Sequence, residues 1–432
     1  MKPKSSSSAK QGNLLFPDLM SQLNPKHPLL LLAQKLPWAL FEKEYAHFYS
    51  PVGRPAKPIR LMVGLLLLRQ IENLSDERLV EAWVQNPYHQ AFCGVERFQW
   101  ALPCDPTDLV YFRKRIGEAG MEKIFQSSVM LHGEASLERE VVIDTTVQEK
   151  NITFPTDTKL RVKVMNRCWK LAEEETITLR RSYRRELKKT LRVIRFSKKR
   201  DDKKKLPSAI KRVQTMANAL LRDVMRKLPE SSLAVRREEL ENYQRAVNQK
   251  RHDKNKIYSL HEPGVICISK GKEHKKYEFG AKAAIAMTKT DCIIVGAKNF
   301  SYNAYDGDTL KEVLSQVQTI RGCVPETSFC DRGFRGRKHV GGTAIVLPEA
   351  PTPNLSEYAK RKARKNFGRR SAIEPVIGHL KNHFRLARNY LKGNIGDSIN
   401  LLLAASAFNF KKWLNAVAQG IISPFPIPVG NK

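Results

Sequence analysis

The sequence has no apolar run long enough to cross a membrane. Its longest stretches, Leu61–Leu68 and Leu401–Ala405, fall far short of the roughly 20 residues that a spanning helix needs, and they read as core helices. Its seven cysteines (Cys93, Cys104, Cys168, Cys267, Cys292, Cys323, Cys330) are odd in number and scattered, with no C-x-x-C spacing. That excludes a zinc ribbon or a dithiol redox motif and predicts reduced thiols in the core. No glycine-rich phosphate loop is present either: Gly341-Gly342 opens no G-x-x-x-x-G-K-[ST], so no ATP use is implied. Residues 1–22 are polar, with Ser5–Ser8 as a flexible stretch, and lack a charged region followed by an apolar one and a cleavage site. The expectation is a protein of the cytoplasm, away from membranes. No internal repeat is visible.

Acidic charge is also scarce. Lys and Arg number 76 against 43 Asp and Glu, a formal net charge of +33. A compact chain tolerates such self-repulsion best when a polyanion neutralises it, and nucleic acid is the first candidate, ahead of a membrane surface or a merely basic protein. The charge is also localised. Residues 151–260 hold 31 Lys and Arg against 13 Asp and Glu, which is +18 of the total. With 41% hydrophobic residues over 432 positions, the chain is globular and long enough for two or three compact units.

Periodicity divides the chain. After a polar region at 1–50, residues 51–135 read as a helical N-terminal domain for DNA binding or assembly. Start signals stand at Ser75-Asp76-Glu77 and at Asp105-Pro106, and a basic end lies at Arg113-Lys114-Arg115. The β-branched run Val141-Val142-Ile143 predicts a buried strand ending at Asp144. From about 160 to 258 a Lys/Arg-rich helical insertion follows, broken at Pro207 and Pro229. Strands are then expected at 265–269, 277–287 and 292–297, a helix at 307–319 capped by Asp308, strands at 326–330 and 343–347, and helices to about Ala418 before a tail at 421–432. This order predicts an α/β catalytic domain over 136–420, with a mixed central sheet covered by helices and interrupted by the insertion.

Cutting a phosphodiester requires an in-line attack with the nucleophile activated and the leaving oxygen stabilised. Two divalent ions about 4 Å apart do both, and Mg²⁺ takes carboxylate, water and phosphate oxygens. Asp144 and Asp331 each end a short strand. Singly, a strand-end Asp is more often a turn or cap residue. Glu374 adds a third acid, in Phe367-Gly-Arg-Arg370-Ser-Ala-Ile-Glu374-Pro-Val-Ile-Gly-His-Leu-Lys381. On a helix, Phe367, Arg370, Glu374 and Lys381 fall on one stripe, a carboxylate between two cations suited to phosphates, and Arg385 and Arg388 continue it. The competing reading is an ordinary solvated face with an i,i+4 Arg370/Glu374 pair. Pro375 would kink this helix or start it there. His379 and His383, also at i,i+4, lack the Glu of a zinc protease and read as a nucleic-acid-facing surface, while His261, His274 and His339 form no pattern.

Here the chain resembles the DDE transposases of bacterial and archaeal insertion sequences that carry a Y-R-E-K signature: Tyr, two residues, Arg, three residues, Glu, six residues, Lys. Phe367, Arg370, Glu374 and Lys381 stand at those spacings, with Phe367 in place of Tyr. Val-Val-Ile-Asp144-Thr-Thr and Cys-Asp331-Arg-Gly-Phe-Arg-Gly resemble the family's first two acidic blocks, and the likeness covers about 50–413. The resemblance implies a ribonuclease-H-like catalytic domain in which Asp144, Asp331 and Glu374 hold two Mg²⁺ or Mn²⁺ ions. It implies that Arg370 and Lys381 grip phosphates near the scissile bond. Phe367 would pack or stack on a base, without the hydrogen bond of a Tyr. Terminal inverted repeats and target DNA are the implied partners, in a homodimeric synaptic complex. Two alternatives stay open: a DNA-binding protein that has lost catalysis, and a nuclease of the same fold that only hydrolyses.

Overall fold

A computed structural model of the protein describes residues 18–50, 52, 55–196, 205–269, 275–348, 356–358, 361 and 367–421. The serine stretch, His274 and nearly all of the expected C-terminal tail lie outside the described residues. The chain divides into two compact units, one of Met1–Glu149, Lys282–Phe300 and Ala304–Lys432, the other of Lys150–Ala281 and Ser301–Asn303.

In the first unit, helices α1 (Pro28–Lys35), α2 (Trp38–Tyr45), α3 (Ile59–Ile71), α4 (Asp76–Gln85), α5 (Pro87–Phe92) and α6 (Pro106–Met130) precede the first strand. The apolar run at Leu61–Leu68 is buried on every side of α3, as an all-round hydrophobic helix must be. Both expected start signals are used. The Ser75 side chain accepts from the Arg78 amide, and Asp105 with Asp108 forms a capping box. Gly117, at φ +58°, breaks α6 internally. Two buried guanidiniums, Arg69 and Arg113, converge on Asp76. Burial raises the Asp76 carboxyl, but hydrogen bonding from Arg113 and the charges of Arg69 and Arg113 outweigh it and hold the group below its ordinary value.

Strand β1 (Glu140–Glu149) then corrects one expectation. It continues five residues past Asp144, because Thr145, Thr146 and Val147 are again β-branched and buried. Along the strand interior only Asp144 is not fully buried, so β1 is covered on both faces except at that residue.

The second unit holds α7 (Asp157–Glu174), α8 (Arg184–Phe196), α9 (Leu206–Lys227), α10 (Glu230–Val235) and α11 (Arg237–Asn248). Pro207 sits in the first turn of α9, and Pro229 precedes α10, where a missing amide hydrogen costs nothing. Val213, Met216, Leu220 and Val224 of α9 pack with Val164 and Cys168 of α7 and Tyr243 and Val247 of α11, a hydrophobic cluster of this unit's own. Strand β2 (Ile266–Ser269) pairs antiparallel with the opening residues of β3 (Tyr277–Thr288).

Beyond Ala281 the chain, apart from Ser301–Asn303, is again in the first unit. The rest of β3 pairs antiparallel with β4 (Ile294–Phe300), followed by α12 (Asp306–Arg321), β5 (Thr327–Phe329), β6 (His339–Val340), β7 (Thr343–Val346), α13 (Ile373–His383) and α14 (Gly393–Ala418). In the sheet β1 lies between β3 and β5, with β7 and then β6 beyond. The β1/β5 and β5/β7 pairs are parallel while β3/β4 and β6/β7 are antiparallel, so the sheet is mixed and the class is α/β. Helix α14, whose buried residues include Leu401–Ala405, packs on α3, α6 and β4, so one hydrophobic cluster is shared by the early helices and the sheet. No helix among the described residues is long and apolar enough to cross a membrane. All seven cysteines are free; Cys93, Cys104, Cys168 and Cys330 are buried, whereas Cys323 is exposed rather than a core thiol.

Candidate active site

Parallel pairing of β1 with β5 sets Val142 opposite Phe329. Asp144 and Asp331 each come two residues after this last pair, and both carboxylates reach the same arginine. The Asp144 Oδ1 accepts the Thr145 amide at 2.7 Å. Asp331 Oδ1 accepts the Gly333 amide at 2.7 Å and caps a short 3-10 turn, Arg332–Phe334. A side chain at Gly333 would meet Asp331 Oδ1 at 2.8 Å and Asp306 Oδ2 at 2.9 Å, so the glycine lets a third carboxylate approach.

Arg370 lies between the two blocks. Its Nη2 is 4.0 Å from Asp144 Oδ2 and 4.0 Å from Asp331 Oδ2. Its Nε is buried and, among the described residues, has no hydrogen-bond partner. Such a donor beside two carboxylates suits an acceptor that the described residues do not supply, and a phosphate oxygen is one.

The helical stripe needs correction. Phe367 and Arg370 do not share a helix with Glu374: a 3-10 turn covers Arg369–Ala372, and the α-helix starts at Ile373 with Pro375 in its first turn, where proline is tolerated. Arg385 and Arg388 do not continue the stripe, because α13 ends at His383 and Arg385 adopts a left-handed φ of +62°. The Arg385 guanidinium donates to the Asn73 carbonyl and lies over the Tyr390 ring, while Arg388 is exposed. Phe367 packs edge-on against Phe329 of β5, with ring centroids 5.8 Å apart. Glu374 is exposed on α13, a helix that buries Ile373, Val376 and Leu380 and packs against β1. Lys381 is half-buried one and a half to two turns farther on. The structure thus joins Asp144, Asp331 and Arg370, and among the described residues Glu374 does not complete a three-acid group with the two aspartates. Among the described residues no group of three His, Cys, Asp or Glu side chains is placed to hold a metal ion. The donor set is nevertheless of the right kind, since Mg²⁺ is commonly held by one or two carboxylates plus water and substrate phosphate.

Sequence reasoning missed a buried arrangement beside Asp144. Lys282 of β3 is 7% exposed, and its ammonium donates to the Ala304 carbonyl at 2.6 Å and to Asp306 Oδ1 at 2.8 Å. The same carboxylate oxygen accepts the Thr145 hydroxyl at 2.8 Å. The available signal was a lone lysine within the apolar run Tyr277–Thr288. Asp308, expected as the cap of α12, instead sits in its first turn and pairs with Arg337 at 2.8 Å; Tyr305 occupies the cap position. Cys330, next to Asp331, has its thiol pushed up to about 12, chiefly by burial, and is inert at neutral pH. His379 and His383 stand apart from the carboxylates, lining a cavity of about 900 Å³ with Glu72, His132, Asp291 and Phe408.

Comparison with known families gives two matches: residues 17–115 to the family described as Transposase domain (DUF772), and residues 245–410 to the Transposase DDE domain. The second span includes Asp331, Arg370, Glu374 and Lys381, while Asp144 lies outside both. A relative described as "Uncharacterized protein ORF8 in nfe locus" from Rhizobium meliloti is 46% identical over 192 residues, which is 43% of this chain and 91% of the relative. No solved structure is matched.

Proposed function

Since the chain belongs to the DDE transposases of insertion sequences, we propose that it recognises the terminal inverted repeats of its element as a homodimer and cuts and joins DNA strands at Asp144, Asp331 and Glu374. Membership of that family makes it an enzyme that acts on DNA. The finer reading is a ribonuclease-H-like catalytic domain over 136–420, a helical region at 51–135 for end binding and assembly, and a basic insertion that holds backbone. It works with DNA in the cytoplasm at the nucleoid. The observation that carries the reading is Arg370, held 4.0 Å from both aspartates with a buried Nε that has no partner among the described residues.

Two Mg²⁺ or Mn²⁺ ions, when bound by these carboxylates, activate the attacking oxygen and stabilise the leaving one. Arg370 orients the scissile phosphate through its donors, and Lys381 on the following helix holds a neighbouring phosphate. Attack by water, or by a freed 3′-hydroxyl, makes one P–O bond and breaks another while the nucleophile gives up its proton, so no ATP is needed. Glu374 follows Arg370 by four residues and closes on the aspartates when DNA is bound. A second reading rests on Asp306, whose Oδ2 comes up to the same glycine as Asp331: this acid, in place of Glu374, could be the third.

The test is Mg²⁺-dependent nicking of an end-containing duplex. Asp144→Asn, Asp331→Asn and Glu374→Gln are each expected to abolish it while DNA binding stays within a few fold. Full nicking by Glu374→Gln, with loss in Asp306→Asn, would replace Glu374 by Asp306.

A further inference from the structure

The second unit contains a cleft of about 510 Å³ lined by Arg180, Arg181, Tyr183, Arg222, Asp223 and Arg226. Several cations of this unit face acids: Arg184 pairs with Glu173, Arg212 with Glu186, Arg236 with Glu174, Lys256 with Asp157, and Arg181 of the cleft itself with Glu186 at 3.5 Å. Those pairs are what an ordinary solvated helical surface looks like. The cleft differs. Asp223 is buried at its edge and already accepts from the Arg180 amide at 2.8 Å, from Arg226 at 3.1 Å and from Lys227 at 3.3 Å. Its carboxyl, though raised by burial, is held below the ordinary value by these donors, so it stays ionised and committed to them. The Arg222 Nε donates to the Asn218 carbonyl of its own helix, and among the described residues neither the Arg180 nor the Arg222 guanidinium pairs with an acid.

The loop that carries Arg180 and Arg181 is held in an unusual conformation. Thr176 and Tyr183 both take left-handed φ values, +54° and +56°, which bulky residues rarely adopt. The Tyr183 ring lies 5.0 Å beneath the Arg181 guanidinium. Strain that gathers like charges into one cleft is stabilised by an anion with several acceptors spaced along it.

We propose that this cleft is a sequence-independent seat for adjacent backbone phosphates of DNA, with Arg180 and Arg222 as the principal contacts. The proposal rests on the reading of the chain as an enzyme of DNA, and places a phosphate contact on residues of the basic segment rather than on its overall charge. Guanidiniums suit the role, since their planar fork matches two phosphate oxygens.

The test is binding of the full chain to a fluorescently labelled duplex over a series of salt concentrations. The double variant Arg180→Gln/Arg222→Gln is expected to bind at least about tenfold more weakly, with its salt dependence shallower by about two phosphate contacts, equally for end-containing and unrelated duplexes. Arg180→Lys/Arg222→Lys should recover most of the loss. The matched control Arg184→Gln/Arg212→Gln removes the same charge from acid-paired positions and should change binding little. Equal weakening in the two Gln doubles would reduce the effect to net charge and overturn the seat, as would unchanged binding in the cleft double, or a loss seen with RNA but not with duplex DNA. Both side chains are exposed, so folding is expected to be unaffected, and melting temperatures check it. Nicking at saturating DNA is a separate readout: failure of the wild type to nick would sink the proposed chemistry and leave the binding result standing.

Discussion

The two units use charge in opposite ways. Around Asp144 and Asp331 the charges are few and enclosed, and each is fixed by a named partner: Thr145 to Asp306, Asp306 to Lys282, Arg370 between two aspartates. In the second unit they are many and exposed, and some are matched to acids over an apolar core of the unit's own. Enclosed charge fixes geometry, because moving it strands an uncompensated group; exposed charge sets a field and tolerates substitution. The same replacement should therefore be severe in one unit and mild in the other.

The largest break in that comparison is expected at Lys282. Lys282→Met removes one partner of a largely buried pair, which costs about 3 kcal/mol in unfolding by denaturant and frees Asp306 and Thr145 beside Asp144. Nicking should fall by orders of magnitude while DNA affinity stays within a few fold. Asp306→Asn keeps the size and the Thr145 contact and should be milder in stability. Wild-type nicking by both variants would make the pair purely structural.

Next comes Arg370→Ala, which should slow nicking roughly 10- to 100-fold, the worth of a hydrogen bond to a charged group, and do so for every end sequence alike. A changed choice of ends at an unchanged rate would make Arg370 a reader of bases. Phe367→Tyr should be neutral or mildly activating, since the ring is seated edge-on against Phe329 whether or not it carries a hydroxyl.

The smallest effect is one of acidity. Asp76 is held below its ordinary value between Arg69 and Arg113, so the unfolded chain takes up that proton first. Its contribution is intact above the ordinary carboxylate value near 4 and fades as pH drops through the lower folded value. Denaturation of Asp76→Asn from pH 7 down to pH 3 should show less loss of stability with acid than the parent. An identical slope would place the acid sensitivity elsewhere.

Much of the fold is legible from local rules. Ser75 and Asp105 cap the helices they were expected to cap, the strands after Pro263 fall where β-branched residues gather, and the all-round apolar runs at Leu61 and Leu401 are buried. Errors came where a longer-range partner outweighed a local signal. Asp144 resembles a strand terminator, yet the burial of Thr145 to Gln148 carries β1 past it. The stripe from Phe367 to Arg388 assumed one helix, whereas the chain turns tightly before Ile373 and again after His383.

By itself the sequence determined which residues could do the chemistry: acids after β-branched runs, an Arg–Glu–Lys spacing, and a basic segment set apart from them. Side-chain chemistry and periodicity are properties of neighbours along the chain, and they survive without knowledge of the fold. Only the tertiary structure decided which of those groups meet. Parallel pairing of β1 with β5 leads Asp144 and Asp331 to one arginine, a glycine at 333 leaves room for Asp306, and a lysine 138 positions beyond Asp144 becomes its near neighbour through Thr145. Contacts between residues so distant along the chain depend on strand pairing and core packing, and no local pattern encodes them.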